Sequence, residues 1–583
     1  MTTYDDRIWL QHYPNGIRED AHIEFDTALA MFRASLDRVP DGPAIHYFDA
    51  TVTYRDLDEM SDALAVALGE RGIGKGDRVA LILQNVPQFH VAVLAAWKLG
   101  AVVVPLNPMY RDRELHAVLA DSGAAVVICL ESVHAEVVSA SSGTAVTSVI
   151  TTSELDFRTR EEPRIFGDDP QLGAAAGDDL LELIDRYRGR APADVPLGPD
   201  DLAYLPYTSG TTGPPKGAMN THANVVFTAQ IYRDWTRLGP ESVVYAVAPL
   251  FHITGLIANI AAPLLSGSVV ILTCRFHPLV AAEAIAEHRA TATIGAITVF
   301  IAWTNNDDVT AEQLSSLRSV FSGGAPVPDT VITGLRGILS EDADVHAGYG
   351  ATGSIPMSSI ESRELASGLS EGTRRGAGTC IGRPVEGIDV RLVAITDDPI
   401  SGWDDAVEPA DGVGEIVVTG PNVSARYHWP DAANLLGKIV DGQQVWHRTG
   451  DIGWIDDEGR IWFCGRKSQR IVTGDRTLHT VQVEQIFNTV DGVARTALVG
   501  VGARTQQRPV VCVEVESGAD SEAVLARLRA HGADFDLTNT IDTFLVHPGF
   551  PVDIRHNAKI GRESLSVWAD RRLDGSRLGR WRR

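Results

Sequence analysis

Between residues 207 and 219 the chain reads YTSGTTGPPKGAM. Thr208, Ser209, Gly210, Thr211, Thr212 and Gly213 are small donor residues in unbroken succession, and Lys216 follows them. Glycines let backbone N–H groups turn toward one point, and hydroxyls add further donors, which makes a concavity suited to an anion. A lysine beside it contributes a compact positive charge. The chemistry this implies is the cradling of a polyphosphate. The spacing differs from the Walker pattern GxxxxGK[ST], so this is not the P-loop of that class. A plain polar turn after the strand LAYLPY would not need so dense a run of donors.

A cradle of this kind needs a rigid sheet behind it. DRVALILQN (77–85) is a short apolar run that reads as a buried strand. PQFHVAVLAAWKLG (87–100) opens on proline, closes on glycine and is apolar at helical spacing. AVVVPLN (101–107) is the next strand, RDRELHAVLADSG a helix with a polar face, and AAVVICLE (124–131) a strand again. Such alternation predicts a parallel, doubly wound sheet, and the pattern returns over 243–300. Residues 151–200 are rich in Asp, Gly, Ala and Pro with weak periodicity and read as a surface insertion or long loop. After about residue 410 the character changes to short strands with glycine turns. Strands are expected at 496–501 and 510–516 and a helix over about 521–531.

Composition narrows the function classes. A chain of 583 residues is too long for one compact domain, and 44% hydrophobic residues mark an ordinary globular protein. A net charge of −25 argues against nucleic acid and anionic membrane as partners, so an anionic substrate needs a local positive site. The arginine-rich stretch from Arg571 to Arg583 reads as a solvated terminus. Five scattered cysteines form no metal-ligand spacing and read as reduced thiols. The start of the chain does not read as a signal peptide, and no apolar run approaches the ~20 residues of a membrane span. The expected location is the cytoplasm.

Further motifs follow the cradle in order: PLFHITG (249–255), SGGAPV (322–327), GYGAT (348–352), HRTGDIG (447–453), FCGRKS (463–468) and RHNAKIGR (555–562). Together they resemble the acyl-adenylate-forming superfamily of acyl-CoA synthetases, adenylation domains and luciferases, over essentially the whole chain. The resemblance implies an α/β fold: a large multi-sheet N-terminal domain (1–465) that binds adenylate and acyl group, and a small mobile α+β C-terminal domain (466–583). The hinge would lie near 466–468, with Ser468 at the hinge position. By the same resemblance the cradle and Lys216 hold phosphates, Gly323, Gly324, Ala325 and Pro326 form the adenine loop, and Tyr349, Gly350 and Thr352 the stacking and phosphate motif. Asp451 and Arg466 would hold the ribose hydroxyls. His252 would stand near the substrate carboxylate, with Gly255 and Gly348 lining the acyl site. Lys559 matches the catalytic lysine that bridges carboxylate and α-phosphate, stabilising charge where it develops during in-line displacement. The ligands implied are a carboxylic acid, ATP or AMP as the acyl-adenylate, and CoA.

Two positions depart from the family pattern. Where it has Tyr-Gly-x-Thr-Glu, this chain has Gly353. The glutamate helps to hold Mg²⁺, which requires near-octahedral oxygen coordination, and losing one such partner costs on the order of 10–100-fold. Either Glu361 or Glu364 takes its place, or water and phosphates suffice, or adenylation is impaired. Attack of a CoA thiol on an acyl-adenylate expels AMP with no pyrophosphate present, so that half-reaction would be spared. The intact cradle and Lys559 point the other way, because both serve adenylation. The second departure is Gly474-Asp475, where CoA-forming members carry paired glycines along the pantetheine arm; an aspartate would obstruct the tunnel unless Gly474 alone serves.

YPNGI and PLNPMYRDRELHAVLADSGA resemble long-chain acyl-CoA synthetases, whereas GAGTCIGRPV, VEQIFNTVDGVARTALVGVG and FPVDIRHNAKI resemble the β-lactone synthetases of olefin biosynthesis. Three readings therefore stay open: an enzyme of the thioester-forming half-reaction fed by a separate adenylating enzyme, a complete two-step ligase, and a β-lactone synthetase. Retention of Lys559, Asp451 and Arg466 argues against a catalytically silent scaffold. The apolar, small-residue-rich region from His252 through Gly295 suits a bulky hydrophobic acid. The oligomeric state is not legible.

Overall fold

The computed structural model describes residues 7–14, 16–20, 22–168, 177–208, 215–324, 329–428, 430–474, 476–551 and 560–580. The alternating segments build two sheets. One has seven strands and the order Asp178–Asp179, Ser148–Thr152, Val126–Leu130, Arg78–Ile82, Val102–Pro105, Leu202–Tyr204, Asn220–Thr221. All its neighbours are parallel except the last pair. The helix Pro87–Lys98 starts on proline at its first turn and is buried along its whole length, its polar side chains Gln88 and Lys98 paired with Thr152 and with Asp58 and Asp62.

The other sheet has fourteen strands. Its first part is mainly parallel, with Val243–Tyr245, Ala292–Ala296, Ser319–Gly323 and Asp344–Ala351 side by side. It becomes antiparallel at Ser354–Glu361 and continues through Thr379–Pro384, Ile461–Arg466, Gln444–Ile455 and Gly414–Thr419. The motif-bearing segments thus arrive at one sheet from distant parts of the chain. Sheet membership changes after Arg466: a single turn, Lys467–Gln469, leads to the hairpin Ile471–Val472 and Thr477–Leu478. A three-stranded sheet of Val493–Val501, Arg508–Val515 and Phe544–Val546 follows, with the helix Ser521–Gly532. The architecture is a large multi-sheet α/β part followed by a smaller α+β part.

The reading of 151–200 as a loop is corrected. Ser148–Thr152 is a strand of the seven-stranded sheet, and Leu180–Tyr187 is a helix capped by the Asp179 side chain, which accepts from the Glu182 amide. Leu180, Leu183 and Ile184 are buried in the main core. Two turns of helix offer too few apolar positions for a clear period. All five cysteines are free and buried. Among the described residues no helix is long and apolar enough to cross a membrane.

Candidate active site

The cradle is clamped at its ends. The Thr208 amide donates to the Lys216 carbonyl at 2.9 Å, and the Lys216 amide donates to Thr208 Oγ1 at 3.1 Å. Ser209, Gly210, Thr211, Thr212 and Gly213 lie outside the described residues. Beyond the clamp, residues 217–219 run beside 426–428, with the His428 amide donating to the Gly217 carbonyl at 2.8 Å.

The residues expected at the ribose converge. Asp451 and Arg466 are register partners on adjacent strands, and Tyr349 reaches them from a third. Tyr349 Oη donates to Asp451 Oδ2 at 2.7 Å, and Arg466 Nε stands 3.6 Å from Oδ1. Burial first, and then Asp451, holds the Tyr349 phenol well above its usual range. Asp451 raises the Arg466 guanidinium further. Asp451 is only 4% exposed, yet its Oδ1 has no hydrogen-bond partner. An unsatisfied buried carboxylate oxygen is costly unless a ligand completes it, and a ribose hydroxyl fits. Gly323 approaches the Gly348 carbonyl, and Gly324 sits in the left-handed region (φ +89°) with open space before it. Ala325 and Pro326 lie outside the described residues. Thr352 occupies the turn that follows Tyr349 and Gly350 and is half-buried.

On the acyl side the structure changes the reading of the glycines. A Cβ on Gly255 would stand 2.0 Å from the Pro249 carbonyl oxygen, one on Gly295 2.4 Å from Val247 Cγ1, and one on Gly348 2.1 Å from Phe321 Cε1. At each of these positions a side chain would run into a close neighbour, so glycine there permits close packing. Phe321, which the sequence reading did not single out, stacks on His346 and meets the Tyr232 ring edge-on. His252 is half-buried, and its Nδ1 accepts from the Thr254 amide at 3.3 Å.

Gly353 lies in the turn between the strands Asp344–Ala351 and Ser354–Glu361. Its φ is outside the left-handed region, and a Cβ there would make ordinary contacts with Ser424 Cβ (3.6 Å) and Ala218 Cβ (3.9 Å). Glycine is therefore not required by the backbone. The substitute carboxylates are ruled out by position. Glu361 ends the strand that begins at Ser354, about 3.3 Å of travel per residue away. It is bound to Arg336 at 2.5 Å and caps the Arg363 amide. Glu364 is held by Arg383 at 2.8 Å and Arg460 at 3.3 Å.

What stands near Gly353 is cationic. The Ser424 amide donates to the Gly353 carbonyl at 2.7 Å, and the Ser424 carbonyl accepts from Lys438 Nζ. Lys438 Nζ is 5.3 Å from the centroid of the Tyr427 ring, and Lys216 Nζ is 5.7 Å from the same centroid. Burial lowers both lysines, Lys438 to about 7. Across the strand pair His447 faces Lys438, held well below its usual range by burial and then by that lysine. Neither ammonium has an ion pair with a described carboxylate. A glycine, a serine and two ammoniums do not fit Mg²⁺, and among the described residues no three His, Cys, Asp or Glu side chains are grouped for a metal.

At the junction to the C-terminal part, Lys467 Nζ donates to Glu415 and to the Thr396 carbonyl, both at 3.0 Å, while Glu415 also binds buried Arg448. Ser468 is exposed. Gly474 has φ +81°, and among the described residues a Cβ there would meet Gln506 Cγ at 3.9 Å. Asp475 and Lys559 lie outside the described residues.

Fold and site together define an AMP-binding enzyme. The family so described matches residues 32–428, and the chain belongs to it. It is 36% identical to the olefin β-lactone synthetase of Stenotrophomonas maltophilia, over 91% of this chain and 94% of the relative, and 28% identical to a long-chain-fatty-acid–CoA ligase of Bacillus subtilis, over 90% and 92%. The structure of ATP-bound MatB from Rhodopseudomonas palustris superposes with a TM-score of 0.75 over 93% of this chain and 99% of that one, at 23% identity. The chain is thus an enzyme of the acid–thiol ligase class, built on the acyl-adenylate-forming fold.

Proposed function

We propose that this enzyme consumes an acyl-adenylate, transferring its acyl group to CoA and releasing AMP, and that adenylation of the free acid is weakened at Gly353. The observation that carries the reading is the contrast between the joined Tyr349, Asp451 and Arg466 and a Gly353 position to which the described residues bring no carboxylate. In the favoured half-reaction a thiolate attacks the acyl carbonyl carbon, the bond from that carbon to the AMP oxygen breaks, and AMP leaves. No pyrophosphate takes part, so the absent carboxylate is not missed. The residues around Asp451 hold the nucleotide throughout, and Lys559, whose task is the acyl–phosphate bond, is not needed. Residues 466–583 move about Ser468, flanked by the anchored Lys467, and Gly474 offers the pantetheine arm an open backbone. The substrate is a hydrophobic acid, compact where Phe321 stands, and a separate cytoplasmic enzyme supplies its adenylate.

A second reading is favoured by the 36% identity to olefin β-lactone synthetases. A β-hydroxyl of the acyl group would attack the same carbonyl and expel AMP with no CoA. One experiment separates the readings: a chemically made β-hydroxyacyl-adenylate is supplied with CoA and without ATP, and products are followed by mass. Acyl-CoA supports the first and a CoA-free lactone the second. Neither product, with acid, MgATP and CoA turned over at the rate of an ordinary ligase, would refute both.

A further inference from the structure

We propose that Asn85 is a positioning residue of the acyl site: it holds the buried segment 246–250, which carries Val247 and leads to His252, and acyl recognition depends on it while nucleotide recognition does not. The inference rests on the reading of PLFHITG (249–255) as acyl-binding and is independent of which half-reaction dominates. Asn85 lies between the strand Arg78–Ile82 and the helix Pro87–Lys98 and is 7% exposed. Its side chain reaches across to the other sheet. Nδ2 donates to the Ala246 carbonyl at 2.9 Å and to the Ala248 carbonyl at 3.1 Å, and Oδ1 accepts from the Leu250 amide at 2.9 Å. Both amide protons are spent, and with two carbonyls on one side and an amide on the other the group fits in one orientation.

Segment 246–250 follows the strand Val243–Tyr245 and belongs to no helix or strand. Ala246, Val247, Ala248 and Leu250 are buried. Buried irregular backbone must find partners, and here one distant side chain supplies three of them. The segment in turn shapes the acyl side. Val247 Cγ1 occupies the space a side chain at 295 would need, and the Pro249 carbonyl stands against Gly255 and accepts from the His252 amide at 3.0 Å. Asn85 also fixes a neighbouring strand end through its backbone: its amide and carbonyl exchange hydrogen bonds with Cys274, both at 3.2 Å. Cys274 is held in the left-handed region (φ 60°), which a non-glycine residue keeps only where its surroundings impose it. Asn259, in the π-helical stretch Gly255–Ala261, donates a second bond to the Ala248 carbonyl at 3.0 Å, and its own Oδ1 has no hydrogen-bond partner among the described residues. Two asparagines thus converge on one carbonyl of the segment. None of these bonds involves Tyr349, Asp451 or Arg466, so loosening them disturbs the acyl wall and leaves the nucleotide residues joined.

The test is titration calorimetry of the full chain with AMP and with two stable acyl-adenylate analogues, 5′-O-(N-octanoylsulfamoyl)adenosine and its hexadecanoyl counterpart. We expect Asn85→Ala to weaken the tighter analogue about tenfold and AMP less than about twofold, the first being the scale of one or two net hydrogen bonds. Asn85→Asp keeps the acceptor for the Leu250 amide but turns a carboxylate toward two carbonyls, and should lose as much. Asn259→Leu removes one donor and the unpartnered Oδ1 together at nearly constant volume, so it carries the test even where Asn85→Ala does not fold; it should weaken the analogue about threefold and leave AMP unchanged. Equal losses of AMP and analogue in these variants would overturn the proposal, since Asn85 would then be a general tie between the two sheets. So would analogue binding that the variants leave unchanged. An unmodified chain that binds neither analogue more tightly than AMP would overturn the acyl reading of 249–255 and the proposal with it, so the two failures are told apart.

Discussion

The ribose side and the phosphate side of this site are built differently. On the ribose side three strands deliver Tyr349, Asp451 and Arg466 to one another, and buried Asp451 Oδ1 is without a hydrogen-bond partner among the described residues. On the phosphate side the corresponding position holds a glycine whose carbonyl leads through Ser424 to Lys438. On the proposed reading the first arrangement serves any adenylate, in both half-reactions. The second brings Lys216 and Lys438 near that glycine and, among the described residues, no carboxylate. On that reading one sheet keeps the nucleotide grip of its family and gives up a part that only adenylation uses.

The largest effect is expected at the ribose. Asp451→Ala should lower kcat/KM for acyl-adenylate by roughly 10–100-fold, since it removes the partner of Tyr349 and the counter-charge of Arg466 together. A wild-type rate in that variant would make Asp451 structural and erase the contrast. On the acyl side, Phe321→Ala should shift the preference toward longer acyl groups by about tenfold, the scale of one methylene in an apolar pocket. This would be read as a ratio of kcat/KM values across an acyl series.

On the phosphate side, stability should carry the signature of buried lysine. The folded pKa of Lys438 is depressed to about 7, whereas the unfolded side chain titrates at its ordinary value. Between those values the unfolded state binds the extra proton, so stability rises with pH from about 7 to about 10. Lys216, lowered in the same direction, adds to the slope. His447 is already neutral there, and the Tyr427 phenol, raised to about 12, does not titrate in that window. Lys438→Met should remove on the order of 1–3 kcal/mol of that rise, measured by denaturant unfolding across the window. The smallest effect is expected at Lys559: its replacement by alanine should change adenylate consumption by less than about threefold, because the bond it serves already exists. A large loss there would assign it another task.

Much of this contrast was legible in the sequence, and the limits have physical causes. Tyr349, Asp451 and Arg466 sit in contiguous motifs, and the register of neighbouring strands brings them together. Glu361 and Glu364 are close to Gly353 in sequence but not in space, because an extended strand carries its end away from the turn. That Gly255, Gly295 and Gly348 each point their missing Cβ at a close neighbour depends on the local backbone direction, which residue type alone does not carry. Lys438 gave no signal at all. It opens a short strand, Lys438–Asp441, far along the chain from the cradle, and only the packing of 426–428 against 217–219 brings it beneath Gly353.

The most direct test of the central claim is acid-dependent ATP–pyrophosphate exchange by Gly353→Glu. The backbone at 353 accepts a side chain, the added Cβ makes ordinary contacts, and the nucleotide grip is present. The account predicts slow exchange in the unmodified enzyme and a gain of roughly 10–100-fold in the variant, with Mg²⁺ required for it. Vigorous exchange by the unmodified enzyme would contradict the account, as would a folded, adenylate-binding variant with no gain.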